Sequence, residues 1–150
     1  VTSIRDQILN ELTTRLAALT GWDAQLRGAV NASTSDAKVS AVVAFVTESK
    51  QIASSDKYTA TMQVGVLLTV NYEDADATLD DGNPFRYLDR QVVLVEQVVH
   101  TPDLWGPAPP FSYVEVNGHE VNPPDEETTA TAFVRLTFLY RHQFDDPEAA

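Results

Sequence analysis

The acidic run Asp74-Ala-Asp76-Ala-Thr78-Leu79-Asp80-Asp81 has the residue types to hold a divalent cation. Calcium takes several oxygen ligands, and an EF-hand loop adds a glycine for its sharp turn and a closing bidentate glutamate. Here Leu79 stands at the glycine position and Phe85 at the glutamate position. The spacing therefore predicts a solvated acidic loop, with a weak divalent site as the lesser alternative. The three histidines, His100, His119 and His142, fall on separate predicted elements without metal-ligand spacing. His100 closes a predicted helix, where a cation is favoured. No Gly-x-Ser-x-Gly elbow, phosphate-binding loop or dinucleotide fingerprint is present. Scattered carboxylates do not identify the facing pair that glycoside chemistry needs. No catalytic, metal or cofactor-binding residue is assigned, and the chain is expected to work by binding and assembly rather than as an enzyme.

Five residues are the candidates for contact. Trp105 sits in a proline-rich connection, and aromatic residues are enriched at binding hot spots. Its alternative role, with Leu104, is to plug the end of a sheet. Arg135 and Arg141 alternate with Phe133 and Leu139 on the second face of the last predicted strand. That face is too apolar for open solvent and too charged for a closed core, which suits a subunit contact. Phe133 and Leu139 could equally lie beneath a loop.

The elements that must position these residues follow from periodicity. Ile4, Ile8, Leu12, Leu16 and Leu19 form one apolar stripe over a helix at 3–20, with Ser3 as N-cap and Gly21 at its end. Residues 31–38 read as a mobile loop, and 39–52 as a strand whose imperfect alternation predicts a bulge. After a turn at Ser54-Ser55-Asp56, residues 57–72 return antiparallel. Their even positions are apolar from Tyr58 to Tyr72, and Gly65 is expected to mark a bend. Asn83-Pro84 opens a second helix with an apolar stripe of Phe85, Leu88, Val92, Val95 and Val99, ended by Pro102. Asn117-Gly118 predicts a two-residue hairpin turn between 111–116 and 119–121. Residues 123–128 read as an exposed loop, 129–144 as a long strand, and 145–150 as a frayed tail. The expected fold is a single α+β domain of order α-β-β-α-β-β, a mainly antiparallel sheet with two helices on one face.

Composition narrows the function classes. The 150 residues suffice for one domain with a substantial core. No apolar stretch approaches the roughly 20 residues of a membrane span. The opening residues lack the features of a signal peptide. There are no cysteines, which excludes disulfides and thiolate metal sites and suits a reducing compartment. The net charge is −12 and divides unevenly. Residues 1–57 carry six Lys/Arg and six Asp/Glu, whereas 58–150 carry four and sixteen. Such a surface repels phosphate backbones, so nucleic-acid binding is not expected. Solubility is the ordinary reason for the excess, and an acidic wall past which a polyanion slides is the sharper one.

The opening Ile4-Arg-Asp-Gln-Ile-Leu helix, the long strand pair, the Asn83-Pro84 helix and the closing Phe133-Val-Arg-Leu-Thr-Phe-Leu-Tyr-Arg141 strand resemble the tail terminator (tail completion) proteins of long-tailed phages. The resemblance spans nearly the whole chain and rests on element order and pattern. It implies a structural virion protein, assembled in the host cytoplasm, that forms a homohexameric ring on the tail tube. Such a ring stops tube polymerisation and offers a surface to the head-tail connector or a head-completion protein. DNA would pass through it without specific binding, beside the acidic second part. Neighbouring strand edges would be satisfied between subunits, with the strands at 57–72 and 129–144 as the expected participants. Two alternatives are another ring protein of the neck, such as a head-tail connector or head-completion component, and a small α+β ligand-binding or enzymatic domain whose sheet curls around a pocket.

Overall fold

The structure is a computed structural model and describes residues 3–28, 38–71, 80, 82–100, 105, 109–122 and 129–143. The element order is α1 (Ile4–Ala17), β1 (Trp22–Leu26), β2 (Val39–Ile52), β3 (Lys57–Asn71), α2 (Pro84–His100), β4 (Tyr113–Asn122) and β5 (Thr129–Gln143). The strands make one sheet of order β1-β2-β3-β5-β4. The pair β1–β2 is parallel and the other three are antiparallel. The fold is therefore α+β, but its order is α-β-β-β-α-β-β. The added strand, β1, does alternate apolar Trp22, Ala24 and Leu26 with polar Asp23 and Gln25, but over only five residues, so its periodic signal is short and easily passed over.

Strand pairing lines up one apolar face. Val39, Ala41 and Val43 of β2 lie opposite Val70, Leu68 and Val66 of β3, which lie opposite Ala130, Ala132 and Val134 of β5. All nine are buried, and the even-numbered run continues through Leu136 and Phe138. Both helices pack on this face and share a single core with it. From α1 come Ile4, Ile8, Leu9, Leu12 and Leu16. Ser3 caps that helix, its hydroxyl accepting from the Asp6 N–H at 3.2 Å. In α2 the Asn83 side chain accepts from the Phe85 N–H at 2.9 Å, and Pro84 occupies the first helical position. The α2 stripe is rotated from the expected one. Leu88, Val92, Val95 and Val99 are buried together with Tyr87, Gln91 and Val98, whereas Phe85 is exposed. The capping turn points the first helical residues outward, so a residue that fits the period still faces solvent.

Two expectations about backbone irregularities are corrected. Asn117-Gly118 does not reverse the chain: β4 runs straight through and pairs with β5 on both sides of a register shift between Val116 and Gly118. Gly118, at φ +121°, serves a bulge, which needs the same left-handed freedom as a primed turn. Gly65 does not interrupt the ladder, since its pairing with Ala44 and Arg135 is in register; it serves a close approach instead. The expected irregularity of β2 is present, as a shift between Phe45 and Thr47. The reading of 145–150 as a frayed tail, and most of the readings at 31–38, 73–82 and 123–128, lie outside the described residues.

Candidate interaction face

Among the described residues, neither a helix nor another strand covers the opposite face of the sheet. The odd-numbered positions of β5 lie there, because side chains alternate along a strand. Phe133, Arg135, Leu139 and Arg141 thus share one surface, with Phe133 and Leu139 half-buried and the arginines exposed. Leu67 of β3, directly opposite Phe133, adds a further exposed apolar residue.

Phe133 explains Gly65. A Cβ built on Gly65 would stand 2.1 Å from the Phe133 Cζ, so the ring lies flat across a position where only glycine fits. Gly65→Ala should force Phe133 off the sheet and cost about 1–2 kcal/mol of stability. Urea denaturation of the two proteins measures it. An unchanged midpoint would show that the ring is not anchored there.

Polar groups flank these rings. The Tyr113 hydroxyl donates to Glu115 Oε2 at 2.9 Å, and Asn117 Nδ2 donates to Glu115 Oε1 at 2.8 Å. The Thr137 hydroxyl donates to Asn117 Oδ1, and Arg135 pairs with Glu120. The Glu115 carboxylate raises the Tyr113 phenol pKa, chiefly through their hydrogen bond. Across β2, β3, β5 and β4 lies an open groove of about 590 Å³, lined among others by Val46, Gln63, Asn117, Phe133, Arg135 and Thr137.

Trp105 is elsewhere. It is 7% exposed and lies in the core, edge-on to Phe111 at 4.8 Å and to Phe138 at 6.0 Å. Its indole N–H donates to the Val99 carbonyl at 3.1 Å, and the Arg15 guanidinium lies 5.3 Å from the ring. It acts as the plug that was its alternative role, and it is not part of the uncovered face. Leu104 lies outside the described residues. The buried aromatic cluster drew Trp105 inward, because indole area is worth more in a core than on a loop.

The acidic run also departs from expectation at its one described aspartate. Asp80 is buried, and Arg90 of α2 donates to both of its oxygens, at 3.1 and 2.8 Å. Asp80 is therefore a structural anchor, not part of a solvated loop or a cation site. No group of three or more His, Asp or Glu among the described residues could hold a metal ion. No helix among them is long and apolar enough to cross a membrane. His142 is buried with its Nε2 unpartnered, between Tyr58 and Tyr140.

Near His142, on the helix side of the sheet, Tyr140 is hydrogen-bonded to Glu48, which Lys50 and Arg5 approach at 3.5 and 3.8 Å. Burial, and then the bond to Glu48, push the Tyr140 phenol pKa far above its ordinary value near 10. The unfolded chain ionises this phenol first, so the folded state binds more protons above that pH. Stability from this source is complete below pH 10 and falls as pH rises further. Tyr140→Phe should flatten that alkaline decline at a cost of about 1 kcal/mol at neutral pH. Melting curves between pH 7 and 11 test it, and an equally steep decline in the variant would refute it.

No known protein family matches the chain, and no curated protein matches it.

Proposed function

We propose that this protein is a ring-forming tail terminator of a long-tailed phage or phage-like particle. In this role it caps the tail tube, stops its growth and presents a joining surface to the head. The observation that carries the reading is the uncovered sheet face, where Phe133, Leu139 and Leu67 are interleaved with Arg135 and Arg141. Isolated domains bury such apolar area against a second layer; a subunit reserves it for a neighbour. A cap must match the tube on one side and differ from it on the other, which calls for large distinct surfaces rather than a catalytic cleft. The two helices and long strands on which the resemblance rests are present, although β1 makes the element order differ from the expected one.

The test is assembly. Purified protein, alone or with tube protein, should give six-fold particles in negative stain and a matching mass by light scattering. Tube protein should capture it in pull-downs in preference to a head-tail connector. Capture by the connector instead would assign it to the neck. A lone protomer under all these conditions would end the reading.

The groove over Gln63 and Thr137 favours a second reading, a small-ligand domain. In that case a small ligand raises the melting temperature of a monomer or dimer, and no ring forms.

A further inference from the structure

The sheet has two free edges, and neither belongs to the strands expected to carry them. β3 and β5 are central and paired on both sides. At one side of the sheet, β1 pairs only with residues 39–43 of β2. Among the described residues, nothing pairs with the outer side of 44–52. At the other side, β4 is the terminal strand, and among the described residues nothing pairs with its outer side along its ten residues. Of the eight exposed large hydrophobic residues among those described, five stand on these two stretches: Phe45, Val46 and Ile52 on β2, and Tyr113 and Val121 on β4. Exposed apolar side chains are thus concentrated where, among the described residues, backbone N–H and C=O groups also lack strand partners. Neither stretch contains proline, and neither is short, so two common protections of a sheet edge are missing.

We infer that the outer edge of β4 in one copy pairs with residues 44–52 of β2 in the next, so that the ring is held by a continuous sheet. This rests on the ring reading above and names the surfaces that close it. The occupant of each edge is a second copy of this chain, for three reasons. The free stretches match in length, nine residues against ten. They lie at opposite ends of one sheet, so every copy offers one of each, and the contact is head-to-tail. The strand senses also agree. β2 and β4 are antiparallel to one another through β3 and β5. Rotation about an axis along the strands preserves sense, so the incoming β4 meets β2 antiparallel, with apolar face continuing apolar face.

Closure then removes every free edge except that of β1, which is the general remedy for edge pairing in barrels. With four strands per copy at about 4.8 Å each, one subunit spans about 19 Å. Six copies with strands along the axis would set the strand backbones on a circle about 37 Å across by the same spacing.

Two variants separate the edges. Val46→Lys with Ile52→Lys charges the β2 edge, and Tyr113→Lys with Val121→Lys charges the β4 edge. All four positions are exposed, so both variants should melt like the parent. Each alone should raise the concentration at which rings form about tenfold or more. Mixed together, they should form a one-to-one dimer, because each retains the edge that the other lacks. Hydrogen exchange on the unaltered ring should show protection at 44–52 and 113–122 that is lost on dissociation into protomers. Rings from either variant at the parent concentration, or unprotected edges in an intact ring, would overturn the inference and leave the ring reading standing. Absence of any ring from the unaltered protein, with or without tube protein, would remove both.

Discussion

Replacing Phe138 with alanine lowers the unfolding free energy by about 3–5 kcal/mol, the largest single-residue effect expected in this chain. Phe138 is fully buried at the middle of β5. Its ring meets Phe111 at 5.1 Å and Trp105 at 6.0 Å, both edge-to-face, and these rings in turn join α2 to the sheet through the indole bond to Val99. Truncation removes the transfer energy of the ring and leaves a cavity that three separate elements cannot close together. A domain of this size has about 5–15 kcal/mol in total, so the variant should sit close to the folding threshold. Its melting temperature should fall by roughly 6–20 °C. Phe138→Leu keeps most of the volume and should lose much less. Urea titration followed by tryptophan fluorescence reports on the cluster directly. A loss below about 1 kcal/mol for the alanine variant would mean that the aromatic cluster does not hold the core together.

Asp80→Ala should cost about 2–3 kcal/mol. The Asp80 carboxylate is 1% exposed and accepts two charge-assisted bonds from Arg90, whose side chain is 40% exposed. Removing one member of a fully buried pair costs more, but here the orphaned guanidinium can regain water. The aspartate also belongs to the turn that starts α2, where its carbonyl accepts from the Asn83 N–H at 2.8 Å. The helix entry should therefore loosen as well, and amide exchange in the first turn of α2 should rise more than in α1. Calcium should leave the melting temperature of the parent unchanged, since the carboxylate is already spoken for. Stabilisation by millimolar calcium, with no loss of stability in Asp80→Ala, would restore the cation reading.

These two residues show where the chain could be read directly and where it could not. Phe138 belongs to the alternation of β5, and a period of two assigns it to the core without knowledge of any partner. Nothing local distinguishes Asp80 from the other aspartates of its run. Its burial depends on Arg90, ten residues away, which folding brings alongside. Gly65 makes the same point. A glycine within a strand can mean a bend, a bulge or a close approach, and only the register with β5 shows that the Phe133 ring requires it. Asn117-Gly118 allows a left-handed residue but does not say whether the chain then turns or bulges.

The candidate interaction face divides in the same way. Phe133, Arg135, Leu139 and Arg141 were legible as one surface because alternation is a property of the strand itself. Trp105 was not, since a tryptophan between prolines is equally at home in a core and on a loop. The free edges were the least legible of all, because whether a strand is central or terminal is decided by its neighbours.

By itself the sequence determined the two helices, the long strands, their inward faces and the uneven charge, all of which follow from periodicity and composition within a short window. Only the tertiary structure decided the order of strands, the parallel pairing of β1, the burial of Trp105 and Asp80, and the edges left unpaired among the described residues. Those features arise from contacts between residues far apart in the chain, where packing and hydrogen-bond satisfaction outweigh any local preference.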